Sequence, residues 1–493
     1  MAKGWVGVAL WMVLAACSGS SRDATTDAGS GRDVRPGSDA GKPEDATTDR
    51  IDTAPRDSGG KGTLDAPVAD ASADAPRPAD SGAFVHPGVL VDQAQLDFVK
   101  AKLAQSAQPW TAARTPTTTD KGASGPTWGA QAYDSLSYVP HPVVTMDCTA
   151  DAAGCSAMLS DAIAAYTDAL TYSYSTAANR GDYAAMAITI LNAWSSKLTS
   201  SNGSQAQLEE AWAAEMFPRA AEIVRYTYTP ASGAATLDVA AFSRMLLNVM
   251  KPELAHGAPS ENGNWELSMA DGLIDIGVFT EDMATFQAGI AMWKGRVPAY
   301  IYLTTDNGGS GVPNAPPGGE YSSAALLRCY WLSSGSPTTS CRVPAGFEYV
   351  NGMVQETCRD MGHVAIGLAS LVYGAETARI QGIDLYGQEK ARITAAYEFS
   401  TTFNTGYLTT GTWPMTPCGG QPGKYGMSDG GNQNGTGGVG YELGWEVAYT
   451  EYADRLAVAM PNTLGFITTY VRPATYKAGN QIAWETLTSA GTP

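Results

Sequence analysis

The chain has 493 residues, with 31 Lys and Arg against 49 Asp and Glu, and a formal net charge of −18. That acid surplus excludes a nucleic-acid partner and non-specific adhesion to anionic surfaces. It also repels any anionic ligand at long range, so such a ligand would need a locally basic or strongly hydrogen-bonding cleft.

The N-terminus reads as a processing signal, residues 1–17. Lys3 precedes an apolar run from Trp5 to Ala16, shorter than the ~20 residues that span a bilayer. A charged start, a short apolar stretch and small residues before a cut make an export signal. Leu14-Ala15-Ala16-Cys17 resembles the bacterial lipobox, which implies that Cys17 is acylated and becomes the new N-terminus. The plainer alternative is an ordinary signal peptide with an incidental cysteine. Ser18, not Asp, follows, so nothing argues for retention in the inner membrane. The expectation is an exported outer-membrane lipoprotein, periplasmic or at the cell surface, that meets the membrane only through its lipid. Residues 18–83 are Asp, Ala, Thr, Ser, Gly and Pro with scattered Arg and no aromatic residue. Such a stretch buries too little apolar surface to offset its ordering entropy and is expected to be a flexible tether.

Composition changes at Phe84, and residues 84–493 are expected to form one large domain. Apolar residues recur at helical spacing over 183–198, 208–226, 239–250, 265–278, 283–291, 322–332, 364–378, 390–403 and 445–459. Alternation of the strand type is scarce. Paired helices joined by Gly/Pro/Ser loops predict an all-α fold, an incomplete (α/α) toroid of helical hairpins with minor β additions at most. The absence of a strict repeat period disfavours a regular solenoid. Two long Gly-, Pro- and Asn-rich loops, 302–321 and 406–440, contain Tyr321, Tyr407, Trp413 and Tyr425. Loops of that length are functional or disordered, and the aromatics favour function.

Setting Cys17 aside leaves six of the seven cysteines, an even number in an exported chain. Proximity pairs Cys148 with Cys155 and Cys329 with Cys341, which leaves Cys358 for Cys418; other connectivities stay open. Zinc is the weaker use, because no CxxC occurs and His86, His141, His256 and His363 are scattered. No metal or other cofactor is expected.

Three local patterns carry polar chemistry. Asn262-Gly263-Asn264-Trp265-Glu266 heads a predicted helix, where Asn264 is either a functional amide or an ordinary N-cap. The run from Gln355 to His363 crowds Gln355, Glu356, Arg359, Asp360 and His363 ahead of an apolar helix. If that helix includes the run, Glu356, Arg359 and His363 share a face, either as a site or as a surface Glu–Arg pair. The stretch 437–455 supplies Tyr441, Tyr449 and Tyr452, the last two fitting a half-buried structural role.

The pattern Gln355-Glu356…Arg359-Asp360…His363, followed by Gly382-Ile383-Asp384-Leu385-Tyr386-Gly387, resembles the signature of the alginate-lyase-like polysaccharide lyases. Ile190-Leu191-Asn192-Ala193-Trp194, Asn264-Trp265, Met460-Pro461-Asn462-Thr463 and Trp484-Glu485-Thr486-Leu487 extend the resemblance over most of residues 84–493. It implies an (α/α) toroid that cleaves alginate or glucuronan by β-elimination, acting as a monomer on an acidic polysaccharide. In that chemistry a base takes the C5 proton of a uronic acid and the C4 oxygen leaves. The enzyme must neutralise the neighbouring carboxylate and the charge that develops.

The resemblance assigns carboxylate neutralisation to Asn264 and His363, with Arg359 either assisting or pairing internally with Glu356 or Asp360. Glu356 then orients one of the cations, and Gln355 and Trp265 bind substrate. A tyrosine serves as base, acid or both: Tyr425, beside Lys424, is the first choice, and Tyr441 the second. Relatives often have Arg-Pro just before the segment matching Trp445-Glu446, where this chain has Glu442-Leu443. That departure puts substrate preference in doubt. Two rival functions remain. An inverting glycoside hydrolase would use Glu356 or Asp360 with Glu266 or Asp271 as carboxylates ~6.5–9.5 Å apart. A non-catalytic surface glycan-binding lipoprotein would keep the scaffold without turnover.

Overall fold

The computed structural model describes residues 83–114, 136–149, 154–319, 321, 323–332, 341, 343, 345–358, 361–410, 417–418, 443–472, 481 and 484–493. The expected signal peptide, Cys17 and nearly all of the expected tether lie outside the described residues, as does the whole of a separate unit, Gly19–Ala75.

The elements in chain order are α1 (Gln93–Ala104), α2 (Cys155–Tyr174), α3 (Arg180–Ser195), α4 (Ala206–Thr227), α5 (Val239–Met245), α6 (Gly263–Phe279) and α7 (Met283–Tyr300). They continue with α8 (Ala324–Leu332), α9 (Met361–Ile380), α10 (Lys390–Thr410), α11 (Trp445–Tyr449), α12 (Pro461–Phe466) and α13 (Glu485–Thr488). π-Helical turns extend α5 to Met250 and α11 to Arg455. The β structure is small. Gly88–Val89 pairs antiparallel with Val91–Asp92, and Thr145–Asp147 pairs parallel with Ser200–Asn202.

The side-chain contacts give the helix directions. Tyr172 on α2 donates to the carbonyl of Thr227 at the end of α4 (2.5 Å), and Arg219 on α4 pairs with Asp271 (2.7 Å) and Asp275 (3.2 Å) on α6. Ser268 meets Ser370 (2.9 Å), and Thr377 donates to Asp275 (2.8 Å), so α6 and α9 advance together. Arg455 meets Glu376 (3.0 Å), which continues the succession to α11. Helices α2, α4, α6, α9 and α11 are therefore neighbours pointing the same way. α11 packs on α13, α13 on α1, and α1 on α2, which brings the inner succession back to its start.

The returning helices run the other way outside. On α3, Trp194 donates to Asp161 near the start of α2, while Arg180 reaches Tyr172 near its end. On α7, Arg296 meets Glu266 at the start of α6, while Phe286 lies against Gly277 near its end. This is the expected toroid of hairpins, all-α with minor β additions. Its ring is completed by the short α1 and α13.

The hairpin α6–α7 packs closely because glycines face backbone. A Cβ on Gly277 would lie 2.4 Å from the nitrogen of Phe286, and one on Gly289 would lie 2.8 Å from the carbonyl of Ala270. Helix α2, whose sequence is mostly Ala, Ser, Thr and Tyr and which is buried along nearly its whole length, is absent from the sequence expectations. A second difference concerns Tyr407. It lies on α10, which runs to Thr410, so the loop starts later than 406.

One end of the ring is covered by the strap 83–92. The backbone N–H groups of Val85, Gly88 and Leu90 donate to Gln381 (2.8 Å), Glu222 (3.1 Å) and Thr377 (2.9 Å), all near the C-terminal ends of inner helices. The N-termini of α9 and α11 lie at the other end, where the described residues 345–358 and 443–444 precede them. That end is called the mouth below.

Candidate active site

At the mouth, α6 begins with Asn262 in the N-cap position, and Asn262 makes no side-chain capping bond. The N-cap alternative for Asn264 is therefore corrected: Asn264 is the second helical residue. The exposed donors of this first turn are met from far along the chain. Gly263 N–H donates to Oε1 of Gln355 (2.9 Å), and Asn264 N–H donates to Oε2 of Glu356 (3.4 Å). A helix N-terminus carries four such orphan donors and a partial positive charge, so an amide and a carboxylate stabilise it there. Gln355 also donates to Oδ1 of Asn262 (2.8 Å) and to the carbonyl of Tyr330 (3.2 Å). All of these groups are buried.

Residues 351–358 form turns and a bridge, and α9 begins only at Met361. Glu356 and His363 therefore do not share a helical face, as helical spacing through the run would require. The physical reason is that Gln355 N–H donates to the last carbonyl of α7, Tyr300 (2.8 Å), while Thr357 folds back on Val354 (2.9 and 3.1 Å). The segment is held as a turn before the helix can start. Arg359 and Asp360 lie outside the described residues.

Tyr300 links the two halves of the site. Its hydroxyl donates to Oε2 of Glu356 (2.9 Å). Its ring occupies the place of a Cβ at Gly263, and its hydroxyl that of a Cβ at Gly367, each 2.1 Å away. Gly263 precedes Asn264, and Gly367 lies one turn beyond His363 on α9. The first turn of α6 and the second turn of α9 thus face each other across one phenol. His363 is partly exposed there, and Trp265 is half-buried. Asn264 is buried, and its Oδ1 finds no hydrogen-bond partner. With no donor among the described residues, that oxygen is open to a further contact.

A second shell of contacts, which sequence reasoning missed, fixes the approach to α6. Arg296, buried on α7, binds Oε2 of Glu266 (2.6 Å), the hydroxyl of Tyr330 (2.7 Å) and the carbonyl of Ala258 (3.2 Å). Glu266 accepts from the N–H of Ala258 (2.9 Å), and Tyr330 donates to the carbonyl of Glu261 (2.7 Å). Burial pushes the Tyr330 phenol up to about 12 against the pull of Arg296, so it remains a donor at neutral pH. Tyr321 leans on Tyr330 (4.6 Å) and donates to the carbonyl of Pro259 (3.0 Å).

The two carboxylates offered to a hydrolase from α6 are already engaged. Glu266 is clamped by Arg296, and Asp271 is buried against Arg219. Burial raises the Asp271 carboxyl above its ordinary range, with Arg219 opposing. Among the described residues no group of three or more His, Cys, Asp or Glu side chains is arranged to hold a metal ion. No described helix is long and apolar enough to cross a membrane.

The disulfides join Cys148 to Cys155, Cys329 to Cys341 and Cys358 to Cys418, which is the proximity pairing. The third ties the turn just before Arg359 to residue 418. Cys418 also bridges Phe347, and Glu348 N–H donates to Pro417 (2.9 Å). Lys424, Tyr425 and Tyr441 lie outside the described residues. Tyr452, expected to be half-buried, is fully buried with its hydroxyl on the carbonyl of Tyr386 (3.0 Å).

No family model and no curated protein matches the chain. Among solved structures, the chain is similar to alginate lyase A1-III from Sphingomonas species A1, with 16% identity and a TM-score of 0.43 over 83% of this chain and 99% of that one. A histidine-to-alanine variant of alginate lyase A1-III, complexed with a tetrasaccharide, gives 17% identity and a TM-score of 0.47 over 83% of this chain and 98% of that one. A tyrosine-to-phenylalanine variant, also complexed with a tetrasaccharide, gives 16% and 0.44 over 83% and 99%. The architecture given above rests on the helix contacts, and these structures are what the chain is similar to.

Proposed function

We propose that this chain is a polysaccharide lyase that cuts uronic-acid glycans, alginate or glucuronan, by β-elimination. The observation that carries the reading is the meeting of the first turn of α6 with α9 across Tyr300, with Asn264 in that turn and His363 one turn before Gly367 on α9. An amide and an imidazole on such neighbouring helices suit a uronate carboxylate, whose negative charge must be offset before C5 gives up its proton. The N-terminal ends of the inner helices all open toward the mouth, and their partial positive charges favour an anion there. That local field answers the repulsion set up by a net charge of −18.

In this mechanism Asn264 and His363 bind the carboxylate and Arg359 adds charge. A tyrosine, Tyr425 before Tyr441, removes the C5 proton and returns one to the departing C4 oxygen. Tyr425 follows Cys418, the disulfide partner of Cys358, by seven residues in the sequence. Gln355 and Glu356 hold the first turn of α6, Trp265 and Lys424 contact sugar, and no cofactor takes part. The protein works as a monomer, exported and anchored through acylated Cys17.

The test is an absorbance assay of the full chain against alginate blocks, glucuronan, pectin and glycosaminoglycans. Elimination leaves a C4–C5 double bond that absorbs in the near ultraviolet, whereas hydrolysis does not. His363→Ala and Tyr425→Phe should each lower turnover about 100-fold or more. Reducing ends without absorbance would point to a hydrolase. Binding without either product would point to a glycan-binding scaffold.

A further inference from the structure

The segment 136–144 runs Leu-Ser-Tyr-Val-Pro-His-Pro-Val-Val and precedes α2, whose N-terminus opens toward the mouth. Val139 and His141 each precede a proline, which restricts both to extended backbone, and the prolines fix their own φ. The segment is therefore stiff before it binds anything. It is tied to α2 by one carboxylate. Asp161, fully buried, accepts from the hydroxyl of Tyr138 (2.7 Å), the N–H of His141 (2.6 Å) and Nε1 of Trp194 (2.6 Å). The same carboxylate faces Nδ1 of His141 at 3.4 Å.

Both the backbone and the ring of residue 141 are thus set by a charge that cannot move. The imidazole itself is 62% exposed. Its Nε2 has no hydrogen bond to any described residue. A carboxylate behind Nδ1 selects the tautomer and the direction in which the far nitrogen points. Around it lie exposed apolar side chains. Of the eight large apolar residues exposed among the described ones, Leu136, Val139 and Val144 belong to this segment.

We infer that His141 is a recognition residue for a distal sugar of the same acidic polymer, held outward by Asp161 on the rim of the mouth. Its Nε2 meets a sugar carboxylate or hydroxyl, and the flanking valines take the apolar face of a ring. This rests on the lyase reading and adds a subsite to it. From α2 the rim passes over α4 to α6, two interhelical spacings or ~20 Å. A polymer spans that distance from Asn264, whereas a tetrasaccharide centred on the cut bond, with two sugars to each side, reaches about half of it.

The experiment compares His141→Ala and His141→Gln with the unaltered full chain on polymeric alginate and glucuronan and on their tetrasaccharides. His141→Ala should raise KM for the polymer about fivefold, the worth of one hydrogen bond, and leave kcat and the tetrasaccharide unchanged. His141→Gln, which keeps a side-chain donor, should recover part of the loss. The melting temperature should not change, because the N–H of residue 141 still reaches Asp161. An unchanged polymer KM, or an equal loss on polymer and tetrasaccharide, overturns the inference. If the unaltered chain yields no unsaturated product, the lyase reading fails separately. Equilibrium binding of both polymers then decides this inference: equal affinity with and without His141, or no binding, ends it.

Discussion

Asn264 is buried, yet its carboxamide oxygen has no partner. An unsatisfied buried acceptor costs about 1–3 kcal/mol, so the residue is kept against the interest of stability. Asn264→Ala should therefore abolish most turnover while the melting temperature holds or rises, a separation that thermal unfolding and the absorbance assay together reveal. Glu210 on α4 makes a different prediction. Burial, against a weaker pull from Ser201 and with Glu253 adding to it, pushes its carboxyl from 4.5 up to about 8. The folded chain holds that proton where the unfolded chain has lost it. Its stabilising share is complete below pH 4.5 and declines as pH rises toward 8. Melting temperatures between those limits should fall less steeply in Glu210→Gln than in the parent. Residue identity made Asn264, Gln355, Glu356 and His363 legible in the sequence, because polar groups crowded before apolar helices stand out. Tyr300 and Arg296 did not stand out, since their roles come from what they touch across the hairpin.

At the scale of elements, the α6–α7 hairpin depends on absent side chains. Gly277 leaves no room for a Cβ against the backbone of Phe286. Gly277→Ala should cost about 2–3 kcal/mol through overpacking, measured by denaturant unfolding. The same substitution at Gly465, which has nothing within 4 Å of a Cβ, should be nearly neutral. The disulfide Cys358–Cys418 closes a separation of 60 residues. Replacing both cysteines by serine should cost about 4 kcal/mol by loop-closure entropy, seen as a lower melting temperature in the absence of reductant. Helices such as α4 and α10 were legible from the recurrence of their apolar residues. Helix α2 was not, because small and hydroxyl-bearing residues make up most of its length. The turn at 351–358 was not legible as such, since the contact that sets it comes from the end of α7, distant in sequence.

For the whole molecule, the strap 83–92 decides which end of the ring is accessible. Val89, Leu90 and Val91 are buried, and Glu222, Thr377 and Gln381 take its N–H groups. A chain beginning at residue 93 should lose about 5 kcal/mol, from apolar burial of ~1.5–3 kcal/mol per side chain. A parallel loss of the denaturant midpoint would check this. The ring of parallel helices was foreseeable from the number and pairing of helices. Its closure through α1 and α13 was not, because these short pieces carry too little periodic signal to be recognised as parts of one layer.

The uneven lengths of the connections divide the labour between the two ends of the ring. The long ones, 301–360 and 411–444, run in the sequence from an outer helix to the next inner one, and they are crosslinked by Cys329–Cys341 and Cys358–Cys418. Such crosslinked excursions can gain or lose residues without disturbing the helices beneath. A scaffold built this way can change what its mouth meets by rewriting the rim, while the strapped floor stays much as it was.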